Sequence, residues 1–223
     1  MLRSILRLAV VYIAFYIAAM VPSFAAQRVA LVLGNSNYES VGLLRNPAND
    51  ATALAEALKR LQFSVTLAMD LDKSSFESAL ADFSEASSGA EIALIYYAGH
   101  AIEMNGQNFL IPTDAKLTSD SRVAFETVSL DDLLNAVGDT RGLKMIILDS
   151  CRNNPFVATM KRKAGGRAVG RGLAVPKEPD PGLLISFAAA AGTVASDGEG
   201  EHSPYTRALL NNIETPGLEL NML

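Results

Sequence analysis

The segment KMIILDSCRNNP, residues 144–155, constrains this 223-residue chain more than any other. Residues 145–148 form an unbroken apolar run with the β-branched content of a strand covered on both faces. The run stops abruptly at Asp149, Ser150 and Cys151. Strands of that kind belong to α/β sheets, whose ligands bind outside the carboxyl ends of the strands. The chain's one cysteine therefore falls where such folds do their chemistry. Taken alone, a lone cysteine is more often a small buried hydrophobe than a nucleophile, so a second feature has to carry the reading.

That feature is EIALIYYAGHA, residues 91–101, which has the same design. An apolar run over 92–97 ends in Ala98, Gly99 and His100. As neighbours in a parallel sheet, the two strands bring His100 and Cys151 to one edge. There an imidazole can take the thiol proton and leave a thiolate to attack carbonyls. The two residues are 51 positions apart, close to the roughly 50 that separate histidine and cysteine in the caspase signature.

The pair of motifs, YYAGHA and LDSCRNNPF, resembles the bacterial branch of the caspase-like cysteine peptidases, related to metacaspases and paracaspases. The likeness runs from about residue 28 to the end. Asp149-Ser150-Cys151 is similar to metacaspases, where caspases proper carry QAC. The resemblance implies a caspase-like (caspase/haemoglobinase-type) α/β fold, a mostly parallel sheet with helices on both faces. It also implies a cysteine endopeptidase with Cys151 as nucleophile, His100 as general base, and the backbone N–H groups of Ala101 and Cys151 as oxyanion hole. The family usually has glycine at the position of Ala101; alanine keeps the N–H but not the conformational freedom.

The resemblance further implies cleavage after Arg or Lys, through a pocket built on an aspartate of the first helix, here Asp50, and another two residues before the cysteine, here Asp149. A third pocket position, a serine two residues before the histidine, is Ala98. Read from the residues alone, Asp50 stabilises a helix dipole and Asp149 a local turn. Protein or peptide substrates are the expected partners, and no cofactor is required. Some metacaspases need calcium, and Asp197, Glu199 and Glu201 offer oxygen ligands, though without the EF-hand spacing. His202, the other histidine, precedes a helix cap in a polar loop and reads as a surface residue or minor substrate contact.

Residues 1–25 read as a signal peptide, with Arg3 and Arg7 before an apolar stretch and Ser23-Phe24-Ala25 at the cleavage point. Export to the periplasm or beyond is the expectation, with no stable membrane span after cleavage. Without Arg3 and Arg7 the chain has 17 basic against 24 acidic residues, net −7, which argues against nucleic acid as a partner. One domain over 26–223 follows.

Its strands are expected over 28–33, 63–69, 108–111 and 182–187. Its helices are expected from Asn46-Pro47, over 73–87, after a Ser129/Asp132 capping box, and from Ser203-Pro204 through 210. Met104-Asn105-Gly106-Gln107 reads as a hairpin turn, and no GxGxxG follows the first strand to bind a nucleotide. Residues 154–180 read as a flexible basic loop, in which Lys161, Arg162, Lys163, Arg167, Arg171 and Lys177 alternate with glycines. Such a loop, tethered near a pocket for basic side chains, is a substrate for self-processing over 161–177. Ala101, together with a chain that stops before a further amphipathic helix of similar bacterial domains, supports the alternative of a catalytically inactive caspase-like binding module. Oligomeric state is not legible.

Overall fold

Strand β1 (Arg28–Gly34) is buried from Val29 onward and pairs in parallel on both sides, with β2 (Ser64–Met69) and with β3 (Ile92–Met104). The computed structural model describes residues 27–151, 155–156, 160–161, 169–170, 181–188 and 200–217, with the backbone alone of Cys151, Val169 and Gly170. The signal-peptide segment, Asp197, Glu199 and basic residues 162–168 and 171–177 lie outside the described residues. On its other edge β3 pairs in parallel with β6 (Leu143–Cys151), which pairs with β8 (Leu183–Phe187). The order β2-β1-β3-β6-β8 is wholly parallel, as the doubly apolar runs require.

Helices cover both faces. Val29, Leu31 and Leu33 point to one side, where they pack with Phe76, Leu80 and Phe83 of α2 (Lys73–Ser87) and Leu133 of α4 (Leu130–Ala136). Ala30 and Val32 point to the other, against Leu54 and Leu58 of α1 (Pro47–Arg60) and Leu209 of α5 (Pro204–Asn212). The two-residue period of the strand thus feeds two separate cores. A third cluster, holding Tyr38, Ile102, Phe109, Ile111 and Phe156, lies around the chain beyond the sheet.

The helix starts follow local chemistry. Ser129 and Asp132 form the expected reciprocal capping box, with Ser129 N–H donating to Asp132 Oδ2 at 2.9 Å and Asp132 N–H to Ser129 Oγ at 3.2 Å. Asp72 caps α2 through Ser75 N–H at 2.7 Å. Pro47 opens α1, but the Asn46 side chain makes no cap bond.

One expectation needs correction. The histidine strand does not end at His100: β3 runs to Met104, and its last four residues leave the parallel sheet to pair antiparallel with β4 (Gln107–Leu110). Asn105 and Gly106, both at positive φ, close that hairpin and supply the partner that keeps β3 extended. Short elements interrupt the succession of strands and helices. A 3-10 turn (Asp120–Arg122), α3 (Val123–Glu126) and β5 (Val128–Ser129) intervene, and β7 (Val169–Gly170) pairs with the tail of β3. Among the described residues no helix is long and apolar enough to cross a membrane.

The entry into α1 fixes where Asp50 lies. A Cβ on Gly34 would sit 2.6 Å from the Pro47 carbonyl oxygen and 2.9 Å from Ala51 Cβ, so glycine alone lets the first turn of α1 rest on β1. Gly34→Ala is expected to destabilise the fold by about 1–3 kcal/mol through forced displacement of α1. Gly42→Ala, where a Cβ meets nothing within 4 Å, should leave the urea unfolding midpoint in place.

Candidate active site

His100 and Cys151 are register partners of the neighbouring parallel strands β3 and β6, as are Gly99 and Ser150, and Ala98 and Asp149. The carboxyl edge of the sheet therefore brings the two sequence motifs side by side.

The backbone of His100 is held by a closed ring of hydrogen bonds. Its N–H donates to the Tyr38 hydroxyl at 2.7 Å. The Tyr38 and Tyr97 hydroxyls lie 3.3 Å apart, and the Tyr97 O–H donates to the His100 carbonyl at 2.7 Å. Only Tyr38 donating to Tyr97 lets each hydroxyl hydrogen be used once. Gly99 makes the ring possible: a Cβ there would lie 2.6 Å from the Tyr97 hydroxyl and 2.7 Å from that of Tyr38. Tyr38 is delivered by a loop that Asp70 organises, accepting Ser36 N–H at 2.7 Å and Asn37 N–H at 2.9 Å. Burial pushes the Asp70 carboxyl up, but these N–H groups and the Asn37 amide outweigh it and hold its pKa below the usual carboxylate value.

The His100 side chain is different. It is 3% exposed, its ring 4.6 Å from that of Tyr38 and 6.1 Å from that of Phe156. Neither ring nitrogen has a hydrogen-bond partner among the described residues. Burial lowers its pKa to about 4, so the imidazole is neutral at neutral pH. Ala101 is buried, and it is not among the described non-glycine residues with positive φ, which are Gln62, Asp70, Asn105 and Leu117. Alanine in place of the family's glycine therefore meets no left-handed backbone strain here.

Asp50 and Asp149 meet across the face covered by α1 and α5, although they are far apart in sequence. Both are buried, and Ser203 bridges them. Its N–H lies 3.3 Å from each Asp50 oxygen, and its hydroxyl donates to Asp149 Oδ2. Thr206 Oγ1 donates to the same Oδ2 at 2.6 Å, and the Tyr96 hydroxyl lies 3.4 Å away. Ser203 is at the same time the N-cap of α5, accepting Thr206 N–H at 2.9 Å. The hydroxyls around Asp149 thus come from β3 and α5, while Ala98 contributes its carbonyl to Asn35 N–H at 2.9 Å. Burial raises the Asp50 pKa to about 6 against the lowering effect of His202, which lies with Nδ1 2.8 Å from Oδ1, and of Ser203 N–H. His202 is thus a correction: it is paired with Asp50 rather than a simple surface residue. Asp50, in turn, engages this loop rather than acting only on its own helix dipole.

Sequence reading did not find Tyr38, Tyr96, Tyr97 or Thr206, and found Ser203 only as a helix cap. Adjacent tyrosines inside a fully buried strand were a usable signal, since each buried hydroxyl needs a partner and the alternation sends them to opposite faces. Glu201, the described member of the acidic trio, takes the Asn49 amide on its carbonyl at 3.3 Å. Among the described residues no three His, Cys, Asp or Glu side chains gather to hold a cation. An apolar hollow of about 490 Å³ lies between α1 and α5 along the sheet, reaching from Arg28, Ile92 and Leu143 at the strand starts to Ile147, Ser186 and Tyr205.

A peptidase family described as the caspase domain matches residues 27–223. Human mucosa-associated lymphoid tissue lymphoma translocation protein 1 is 31% identical over 129 residues, 57% of this chain and 15% of that protein. Its mouse homolog is 30% identical over 129 residues, again 15% of its length. The chain thus spans a small part of the curated relatives it matches.

Burial of a neutral His100 makes stability pH-dependent. Its folded pKa, about 4, lies below its unfolded value near 6.5, so its contribution is present above 6.5 and lost as pH falls toward 4. Against His100→Phe, which keeps the ring contacts, the wild type should lose about 3 kcal/mol of relative stability between pH 7 and pH 4 in urea unfolding. The comparison cancels the titration of Asp50.

Proposed function

This chain belongs to the caspase-domain family of cysteine peptidases, and on that premise we propose that it is an endopeptidase working through a His100 and Cys151 dyad and cleaving after Arg or Lys. The observation that carries the reading is the register of β3 and β6, in which His100 and Cys151 are direct partners. In the proposed reaction a ring nitrogen of His100 takes the Cys151 thiol proton, and the sulfur attacks the scissile carbonyl carbon. The C=O electron pair moves onto oxygen, which the Ala101 and Cys151 amides hold. Collapse of that intermediate breaks the C–N bond while His100 returns the proton to the leaving amine. Water, deprotonated by His100, then cleaves the thioester. Apart from that water, the proposed steps use only groups of the protein. The leader-like residues 1–25 support a place of action outside the cytoplasm.

The pocket for the P1 side chain is proposed to be the slot of Asp50 and Asp149. Two buried carboxylates favour a guanidinium or ammonium and repel an acidic side chain. Self-processing is proposed for the basic residues between 161 and 177. Lys161 itself is pinned, its N–H donating to the Thr118 carbonyl at 3.0 Å and its carbonyl accepting Asp120 N–H at 3.3 Å. Cleavage after Lys161 therefore requires that bridge to open, which favours the basic residues beyond it.

Fluorogenic peptides test the specificity. Arg or Lys at P1 should be cleaved and Asp should not, with Cys151→Ala inactive and Asp149→Ala losing roughly a hundredfold in kcat/KM for Arg. As Asp50 takes up its proton below pH about 6, cleavage after Arg should fall on that acid limb. Faster cleavage after Asp than after Arg would refute the pocket.

Self-processing is read by mass spectrometry of the wild type beside Cys151→Ala. Fragments ending at basic residues of 161–177 should be confined to the wild type, and identical cuts in both chains would remove the idea.

A further inference from the structure

Asp50 is an expensive carboxylate. It is 1% exposed, lies near a second buried carboxylate, Asp149, and its pKa is already raised to about 6. The charge it would present to a basic P1 side chain therefore depends on the donors around it. Among the described residues its partners are Ser203 N–H, long at 3.3 Å to both oxygens, and His202 Nδ1 at 2.8 Å from Oδ1, which donates where the carboxylate is ionised. The shorter bond is the imidazole's.

His202 is placed to give it. The residue sits in the short loop before α5, whose Ser203 cap is locked between the two aspartates, and Asn49 of α1 ties the preceding carbonyl of Glu201 at 3.3 Å. Its side chain is 27% exposed against 2% for Asp50, so one edge of the ring meets solvent while Nδ1 meets the carboxylate.

We propose that His202 is a specificity-determining residue of this pocket: by donating its Nδ1–H to Asp50 it keeps that carboxylate ionised, and so fixes the pH range over which a P1 Arg or Lys is recognised. The proposal rests on Asp50 lining the P1 pocket. Among the described residues the other titratable groups that face Asp50 are Asp149 at the end of β6 and Tyr96 on β3, with Tyr205 of α5 beside Asp149. Burial raises both tyrosines above their ordinary range, so their hydroxyls stay neutral through the pH interval in question. Asp149 opposes ionisation of Asp50, which leaves His202, among the described residues, as the basic side chain that favours it.

The test uses the full chain and a pair of peptides differing only at P1, Arg in one and uncharged citrulline in the other. The quantity read is the ratio of their kcat/KM from pH 5 to pH 8. In the wild type the ratio should fall as pH drops through about 6. In His202→Leu that limb should move up by about one unit, roughly a tenfold smaller ratio on the limb, because a hydrogen bond to a charged group is lost. His202→Asn, whose side-chain N–H₂ can take the position of Nδ1–H but does not titrate, should return the limb toward the wild type. His202→Ser is read alongside, so that the outcome does not hang on one variant folding. A limb unmoved in His202→Leu and His202→Ser, or one moved equally in His202→Asn, overturns the proposal. Asp50→Asn separates the two ideas: if it leaves the Arg preference intact, the pocket assignment fails and this inference falls with it; if it abolishes that preference while the His202 variants keep the wild-type limb, only the inference fails.

Discussion

The carboxyl edge of this sheet depends on how one strand changes partners. β3 is flanked by β1 as far as Ala98 and by β6 as far as His100, then leaves them for the hairpin strand β4. A polar backbone passing from a buried sheet to another pairing must keep its N–H and C=O groups bonded through the change. The two tyrosine hydroxyls do this at His100, and they can approach because Gly99 has no side chain. The strand thereby stays extended where a loop would otherwise begin, and His100 is held opposite the end of β6.

A second constraint acts on the other face. Two buried carboxylates repel one another, and each would be unfavourable without donors. Ser203 addresses both with its two donor groups while also capping α5, so the helix cannot leave the sheet without exposing the pair. The electrostatics of the slot and the docking of α5 are therefore one problem with a shared solution. Since α5 also contributes Leu209 to the core under α1, polar and apolar contacts place it consistently.

Much of the parallel sheet and its covering helices was legible because the signals are local. Alternating and doubly apolar runs, the Ser129/Asp132 box and the Asn105-Gly106 turn each act within a few residues, and the structure follows them. Short elements such as α3 and β5 were not legible, since four and two residues carry little periodicity and are held by packing from elsewhere. At the site, the histidine and cysteine motifs stood out, while their supports did not. Tyr38 reaches His100 across 62 positions and His202 reaches Asp50 across 152, and no pattern in one short stretch announces such a meeting. Ser203 was recognised as a cap, but its second function needed the neighbouring strand ends to be seen.

The ring of hydrogen bonds at His100 uses backbone atoms of that residue and none of its imidazole. Under the proposed dyad, architecture and chemistry fall to different atoms of a single amino acid. A lineage that exchanged this histidine for another ring of similar size would then lose the proposed base without coming apart, because what anchors the strand is indifferent to the side chain it carries. Selection for a durable scaffold and selection for turnover can then be relaxed one at a time, a separation that leaves room for silent copies to persist beside working ones.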